Sequence, residues 1–265
     1  MARMITEGEI YGVTSNPTIL MNEIDKSQNY DESLIPLAKA GHSVEEIYYQ
    51  LAVEDIQAAA DLLLPVYQKS SGGDGFVNLE VRPYLADNTD GIIAEAKHLW
   101  KVVNRPNLMI KIPATKAGIP AVAEAIAAGL NVSTTLIFSL ERYADVMDSY
   151  LLGLEKRVET GLSLNSIASV ASFFVSRVDT NIDARLAYAE YKKIFTSERF
   201  EAFKSKGARV QRPLWASTST KNPSYRNVIY VEELIGPDTV NTMPPQTLTD
   251  FLDHGRMHPS IEENL

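Results

Sequence analysis

The chain has 265 residues, of which 45% are hydrophobic and 22% are charged, which is the balance of an ordinary globular protein. Its net charge of -9 repels the phosphate backbone of nucleic acids, and the lack of cysteine excludes disulfides, thiolate catalysis and Cys-based metal sites. The N-terminus has no signal-peptide core, and no segment reaches the ~18 apolar residues of a membrane span. We therefore expect a cytoplasmic protein that binds neither nucleic acid nor membranes.

Short apolar or β-rich segments alternate with longer helical patterns from end to end. The predicted strands are 10–14, 75–81, 108–113, 132–138, 167–175, 213–218 and 239–243. Apolar spacing predicts a helix over 43–67, which Ser43 and Glu46 open as a capping box. Further helices are predicted from a cap at Asn88 or Thr89 to Trp100, from Ile119 to a stop at Gly129, and from a cap at Ser139 to Lys156.

This alternation predicts parallel strands joined by helical crossovers, in a closed barrel or a doubly wound sheet. No G-x-G-x-x-G follows the first strand, which removes the main support for a dinucleotide-binding sheet. A (β/α)8 TIM barrel has eight strands, and seven candidates are present, so the first strand, which would precede Ile10, is missing. No linker or repeat divides the chain. We expect residues 1–265 to form a single α/β barrel domain.

Alternation along three strands turns polar side chains toward the expected barrel interior. These side chains are Asn78, Glu80, Lys111, Ser133 and Thr135, whereas Leu136 and Phe138 are predicted to face the helices and Ile137 the interior. A Lys desolvated in a cavity loses basicity, and its neutral amine can attack a carbonyl to form a Schiff base. Glu80 would then shuttle protons through a water held by Thr135. The alternative is a buried Lys–Glu ion pair that serves packing.

Polar residues also follow several predicted strands. Asn16 precedes Pro17 at the end of the first strand, where it is either a ligand-binding residue or a turn former. Arg177 and Lys221 follow Ser-rich segments after the fifth and sixth strands, and late strand ends of barrels favour phosphate. The alternative for these two segments is a helix cap with a surface salt bridge. The four histidines show no metal-ligand spacing, so we expect no metal.

Four segments resemble the transaldolase family, in particular its bacterial branch that includes fusions with glucose-6-phosphate isomerase. They are Gly-Val-Thr-Ser-Asn-Pro-Thr at 12–18, Leu-Met-Ile-Lys-Ile-Pro-Ala-Thr at 108–115, Asn-Val-Ser-Thr-Thr-Leu-Ile-Phe-Ser at 131–139 and Trp-Ala-Ser-Thr-Ser-Thr-Lys-Asn-Pro at 215–223. The resemblance covers nearly the whole chain and implies a class I aldolase-type TIM barrel without a cofactor. The family's acid/base Asp, on a strand before residue 12, has no counterpart, and the branch usually continues with further helices beyond Asp253-His254-Gly255, so the resemblance implies a member shortened at both ends.

The resemblance also implies roles for individual residues. Lys111 would be the Schiff-base residue, with Glu80 and Thr135 in water-mediated proton transfer. The implied substrate-binding residues are Asn16, Ser133, Ser172, Phe174, Arg177, Ser217 and Lys221. Ser217 matches the family pattern well, whereas Lys221 stands in a segment that differs from other branches.

The implied reaction is that of the non-oxidative pentose phosphate pathway, in which a dihydroxyacetone unit passes from a ketose phosphate to an aldose phosphate. Sedoheptulose 7-phosphate and glyceraldehyde 3-phosphate would give erythrose 4-phosphate and fructose 6-phosphate. The alternatives are a fructose 6-phosphate aldolase-like enzyme, which releases dihydroxyacetone, and a non-catalytic remnant that binds sugar phosphates. Open strand edges would also favour a homodimer.

Overall fold

The computed structural model describes residues 1–178 and 181–263, apart from the side chains of Ile19, Arg177, Val178, Asn181 and Ile182. The strands in this part of the chain are β1 (Val13–Thr14), β2 (Val77–Glu80), β3 (Leu108–Pro113), β4 (Val132–Ile137), β5 (Ser169–Phe174), β6 (Gln211–Ala216) and β7 (Val240–Asn241). The α-helices are α1 (Ala2–Thr6), α2 (Pro17–Lys26), α3 (Asp31–Lys39), α4 (Val44–Lys69), α5 (Thr89–Val103), α6 (Gly118–Ala127), α7 (Leu140–Glu159), α8 (Val175–Val178), α9 (Asn181–Phe195), α10 (Glu198–Lys204), α11 (Ile229–Glu232) and α12 (Pro245–His254).

The predicted strands and helices are all present, with shifted ends. The capping box of α4 is confirmed, since the Ser43 hydroxyl accepts from the Glu46 amide at 3.3 Å and the Glu46 carboxylate accepts from the Ser43 amide at 2.8 Å. The Ser139 hydroxyl caps α7 by accepting from the Arg142 amide at 3.2 Å. The strands β1 and β7 are only two residues long, shorter than the patterns predicted.

Residues 1–85 and 90–111 form one compact unit. Its strands β1, β2 and β3 pair in chain order, and all are parallel. The helix α4 packs on β2 through its apolar stripe, because buried residues such as Ile56 and Leu63 recur at helical spacing. The buried Asn107 ties the two elements together, since its amide donates to the carbonyls of Ala60 at 2.9 Å and Gly75 at 2.8 Å.

Residues 86–89 and 112–265 form the second compact unit. Its strands β4 to β7 also pair in parallel and in chain order. The helices α6 and α7 pack closely at Gly153, where a Cβ would lie 2.6 Å from the Ile126 side chain. Parallel strands that alternate with helices and pair in chain order confirm the predicted α/β class and the strand order of a (β/α) barrel. That residues 1–265 form one domain stays a prediction.

The strand β4 contains a β-bulge that the sequence pattern did not predict. Thr134 pairs with Ala171 and Ile137 with Phe173, so three steps along β4 oppose two along β5. The extra residue is Leu136, whose φ of 63° lies in the left-handed region.

The bulge corrects the predicted faces of β4. The prediction that Leu136 and Phe138 face the helices and Ile137 the interior is wrong. Leu136 is 45% exposed, whereas Ile137 is fully buried at the position paired with Phe173. Alternation resumes after the bulge, so Phe138 emerges on the side of Thr135 and is also 45% exposed.

None of the helices in residues 1–178 and 181–263 has both the length and the apolar composition needed to cross a membrane.

Candidate active site

The central feature of the first unit is an ion pair between Lys111 and Glu80. The two residues are register partners on β3 and β2, and Lys111 Nζ is paired with Glu80 Oε1. Their side chains are 12% and 23% exposed, so both are largely withdrawn from solvent. Lys111 Nζ also donates to the carbonyl oxygen of Ser15 at 3.2 Å. The amine is therefore held at the carboxyl ends of β1 and β2.

The predicted Asn16 follows Ser15, whose carbonyl accepts from Lys111 Nζ, and stands at the N-terminus of α2. Its side-chain oxygen accepts from the Thr18 amide at 2.8 Å, and Pro17 occupies the first helical position. Asn16 is therefore the N-cap of α2, a structural role that differs from the turn former expected as the alternative. Its use as a ligand-binding residue stays a prediction, and the capping bond leaves the amide nitrogen as the group for that role.

A cavity of about 380 Å³ adjoins Glu80 and Asn16 within the first unit. Its walls come from β1, β2, α2 and α4, with Tyr30, Tyr48 and Asp55 among the polar groups. Burial, the hydrogen bond from Tyr30 to Asp55 and the charge of that carboxylate raise the pKa of Tyr30 to about 12. Burial, and then the charge of Glu80, raises the pKa of Tyr48. Both tyrosines present neutral hydroxyl groups to the cavity at neutral pH.

The second unit carries the predicted hydroxyl residues on β4 and β5. Ser133, Thr135 and Ser172 are all buried. Ser133 Oγ has no hydrogen-bond partner among the described residues, which is unusual for a buried hydroxyl and leaves it available to a ligand. The backbone of Thr135 is fixed by its carbonyl, which accepts from the Ala114 amide at 2.7 Å.

Phe174 ends β5 and packs against Phe138, with ring centroids 5.1 Å apart and planes tilted by 51°. Alternation along β5 places Phe174 on the same side as Ser172. Sequence reasoning missed Phe138, because unbroken alternation places it on the opposite side of the strand. The left-handed bulge at Leu136 moves Phe138 to the other face of the strand. The sequence does not indicate this bulge, since Leu is not a residue type typical of the left-handed conformation.

The segments after β5 and β6 meet through two serines. Ser176 Oγ lies 2.8 Å from Ser217 Oγ, and the Ser176 amide donates to the Ser217 carbonyl at 3.2 Å. Ser217 has a φ of 57°, so a second left-handed residue stands at a strand end. Sequence reasoning named Ser217 and missed Ser176, although it precedes Arg177 directly.

Of the two predicted cationic residues, the structure describes the side chain of Lys221 but not that of Arg177. Lys221 is exposed, and its Nζ donates to Ser219 Oγ at 3.2 Å. No acidic partner holds Lys221 among the described residues, so the predicted surface salt bridge is absent for it in this part of the chain. The backbone of Arg177 belongs to α8, but its side chain lies outside the described residues.

The structure therefore groups the predicted residues within each unit. Lys111, Glu80 and Asn16 lie near one another in the first unit, where Ser15 joins them. In the second unit, Ser133, Thr135 and Ser172 lie on β4 and β5, and the Ser176–Ser217 pair joins the segments that follow β5 and β6. Within residues 1–178 and 181–263, no group of three or more His, Asp or Glu side chains is arranged to hold a metal ion.

A parallel α/β fold that holds a largely buried lysine beside a glutamate at the strand ends places an amine and a proton-exchanging carboxylate where such folds carry their active sites. The chain matches the protein family described as Transaldolase/Fructose-6-phosphate aldolase over residues 1–265. It is 48% identical to "Transaldolase 1" of Streptomyces avermitilis, over 97% of this chain and 74% of that protein. It is 49% identical to "Transaldolase" of Saccharopolyspora erythraea, over 96% of this chain and 74% of that protein. The chain belongs to the transaldolase/fructose-6-phosphate aldolase family.

The predicted resemblance is thereby confirmed. The similarity to "Transaldolase" of Mycolicibacterium smegmatis, 48% identical over 97% of this chain and 75% of that protein, agrees with it. The relatives are transaldolases, which are transferases of carbohydrate metabolism. They are longer than the present sequence, as the resemblance implied.

Proposed function

We propose that this protein is a transaldolase that carries a dihydroxyacetone unit as a Schiff base on Lys111. The observation that supports this proposal best is the Lys111 amine itself, which is 12% exposed and held between Glu80 and the Ser15 carbonyl. An amine that has a carboxylate beside it also has a group that can take up and return its protons during imine formation.

In the proposed reaction, Lys111 Nζ attacks the keto carbon of a ketose phosphate and a carbinolamine forms. Loss of the former keto oxygen as water gives the iminium. Glu80 moves the protons of this step, through a water that Thr135 holds. The bond between the carbon next to the iminium and the hydroxyl-bearing carbon beyond it then breaks: the hydroxyl gives its proton to water and becomes the aldehyde of the departing aldose phosphate, and the electron pair of the bond moves into the iminium and leaves an enamine. The enamine carbon attacks the aldehyde carbon of a second aldose phosphate, whose oxygen takes up a proton from water. Water then adds to the new iminium carbon, the ketose phosphate leaves, and the Lys111 amine is restored.

The remaining predicted residues are proposed to bind the sugar phosphates. Asn16, Ser133 and Ser172 would hydrogen-bond the hydroxyl groups of the three-carbon unit, and Phe174 would contact it. Arg177, Ser217 and Lys221 would hold the phosphate group. The unpartnered Ser133 hydroxyl and the exposed Lys221 ammonium support these assignments, because each has a donor free for a ligand.

The proposed physiological reaction converts sedoheptulose 7-phosphate and glyceraldehyde 3-phosphate into erythrose 4-phosphate and fructose 6-phosphate. It belongs to the pentose phosphate pathway, needs no cofactor, and is proposed to take place in the cytoplasm. We also keep the homodimer as a proposal, to be tested by sedimentation.

Borohydride reduction tests the Schiff base directly. The protein is incubated with fructose 6-phosphate and reduced, and its intact mass is measured. We expect one three-carbon adduct that maps to the peptide containing Lys111, and no adduct in Lys111→Arg, which keeps the positive charge beside Glu80 but lacks a primary amine. A folded wild-type protein without an adduct would refute the proposal and would favour a binding protein.

The family also includes fructose-6-phosphate aldolases. Product analysis separates the two activities, because a transaldolase needs an acceptor aldose phosphate for turnover, whereas an aldolase releases dihydroxyacetone without one. We expect turnover to depend on the acceptor.

A further inference from the structure

Thr218 anchors the segment that leaves β6. Its side chain is fully buried, whereas the residues that follow it, up to Asn227, are half-buried or exposed. Thr218 Oγ1 donates to Asn241 Oδ1 at 2.9 Å and to the Thr242 carbonyl oxygen at 3.2 Å. Asn241 ends β7 and Thr242 follows it directly. The Thr218 hydroxyl therefore ties the start of this segment to the neighbouring strand.

The residue before Thr218 has a strained backbone. Ser217 has a φ of 57°, and for an L-residue with a side chain the common backbone conformations outweigh the left-handed one by about five- to thirtyfold. Such strain persists where the surrounding structure enforces it. Ser217 lies between two fixed points, because its carbonyl accepts from the Ser176 amide at 3.2 Å and the next residue, Thr218, is held at β7.

The conformation of Ser217 determines what its hydroxyl offers to a ligand. Ser217 Oγ lies 2.8 Å from Ser176 Oγ, on the segment that follows β5. Each hydroxyl has one proton and this contact uses only one of the two, so the pair keeps one O–H donor. Both serines are half-buried, so a small anion can reach that donor. Phosphate oxygens form short, strong hydrogen bonds with donors of this kind.

We propose that Thr218 is a positioning residue for phosphate binding, because its buried hydroxyl holds Ser217 in the conformation in which the Ser176–Ser217 pair presents its donor. This inference rests on the proposed function, which assigns Ser217 to the phosphate group. Thr218, Ser217, Ser176 and Asn241 all belong to the second unit. Once Thr218 no longer holds it, Ser217 adopts the left-handed conformation only as a minor state, and the apparent affinity for phosphate falls with the population of that state.

The test measures the dissociation constant of inorganic phosphate by calorimetry, because this probe needs only groups of the second unit. Thr218→Val keeps the shape of the side chain and removes its hydroxyl. We expect Thr218→Val to weaken phosphate binding by about five- to thirtyfold, which is the preference against a left-handed residue. Thr218→Ser keeps the hydroxyl and is expected to retain the wild-type dissociation constant.

Ser169→Ala is the matched control, because Ser169 is also a buried hydroxyl residue that links strands of the second unit. Ser169 Oγ donates to the Val132 carbonyl at 2.8 Å and accepts from Gln211 Nε2 at 3.0 Å. Ser169 begins β5, whereas Ser176 follows the other end of that strand. Ser169→Ala is expected to lower the melting temperature and to leave phosphate binding unchanged. Equal weakening in Ser169→Ala and Thr218→Val would overturn the inference, since a loss of stability would then account for both.

Failure of the inference is distinguishable from failure of the proposed function. A folded Thr218→Val protein with the wild-type dissociation constant would overturn the inference, and a borohydride adduct at Lys111 of the wild type would leave the proposed function standing. A wild-type protein without that adduct would refute the proposed function. A wild-type protein that binds no phosphate would refute the assignment of Ser217 to the phosphate group, and the inference with it.

Asn241→Ala extends the test if Thr218→Val does not fold. It removes the acceptor of the shorter of the two hydrogen bonds from Thr218, so the inference requires weaker phosphate binding here as well. A folded Asn241→Ala protein with the wild-type dissociation constant would count against the inference in the same way.

Discussion

Lys111 and Glu80 are register partners on neighbouring parallel strands, and the lysine Nζ is paired with the glutamate Oε1. Both side chains are largely withdrawn from solvent, so each compensates a charge that would otherwise be costly to desolvate. The pair therefore has a structural role whatever its chemistry. A test of catalysis must separate a loss of proton transfer from a loss of stability.

Glu80→Gln makes this separation, because the amide keeps the shape of the side chain and cannot exchange protons in the same way. We expect turnover to fall about 10²- to 10⁴-fold, which is the typical contribution of a general acid–base group. Adduct formation at Lys111 should become slow but still reach completion, as measured by borohydride quenching over time.

Glu95→Gln is the matched control for Glu80→Gln, since Glu95 is also buried and paired, in its case with Arg82. It is expected to lower the melting temperature without changing the rate of adduct formation. Equal rates for Glu80→Gln and wild type would remove Glu80 from the mechanism.

The proposed phosphate site predicts a difference between phosphorylated and unphosphorylated sugars. Ser217→Ala and Lys221→Gln each remove a donor at the strand ends of the second unit. We expect KM for fructose 6-phosphate to rise about tenfold or more, because a hydrogen bond to a charged group is worth about 1.5–3 kcal/mol. The KM for unphosphorylated fructose should not change.

Lys206→Gln provides the control for the phosphate site. Lys206 is exposed and lies before β6, whereas Lys221 follows the opposite end of that strand. Lys206→Gln should leave the KM values for both sugars unchanged. Parallel increases for the two sugars in Lys221→Gln would show that this lysine does not recognise phosphate.

Much of the fold can be predicted from the sequence, because apolar residues recur at every second position in a strand and about every 3.6 positions in a helix. The register of β2 on β3 agrees with the faces that alternation predicts, and this is why the sequence places Glu80 and Lys111 on the same side of the sheet. The same rule failed in β4. A single inserted residue reverses the faces beyond it, and Leu136 has no side-chain feature that indicates a left-handed φ. Ser176 was missed for a different reason, since its contact with Ser217 joins segments 41 residues apart.

The left-handed residue predicts an unusual effect of glycine on stability. Glycine accepts φ near 63° without strain, and the Leu136 side chain loses little burial when it is removed. We expect Leu136→Gly to leave the free energy of unfolding unchanged or to raise it by up to about 1 kcal/mol. Leu152→Gly, in the interior of α7, should instead lower it by about 1 kcal/mol. Urea unfolding measures both, and the same loss in the two variants would contradict the strain at Leu136.

The buried Asn107 is predicted to stabilise the first unit. Its amide donates to two backbone carbonyls, those of Ala60 and Gly75, which have no access to water in its place. We expect Asn107→Ala to lower the free energy of unfolding by about 1–3 kcal/mol, the cost of one buried acceptor that loses its donor, because the Ala60 carbonyl lies inside α4 and has a backbone donor there as well. Gln57 also donates to two carbonyls, of Val102 and Val103, but at a partly exposed position. A cost for Gln57→Ala as large as that for Asn107→Ala would show that burial does not set the penalty.

Glu232, which ends α11, gives the second unit a predictable response to acid. Burial alone would raise the pKa of Glu232, but hydrogen bonds from the Arg226 side chain and the Arg256 amide outweigh it and hold the pKa below its ordinary value. A carboxyl group whose pKa is lowered by folding stabilises the protein fully above the ordinary value of about 4.3, and this stabilisation is lost as the pH falls toward the lowered pKa.

Glu232→Gln cannot ionise, so its free energy of unfolding should lie below that of the wild type at pH 7. The two values should converge between about pH 4.3 and the acid limit of folding. Urea titrations at several pH values measure the difference, and a difference that stays constant down to that limit would rule out the ionised Glu232 as its cause.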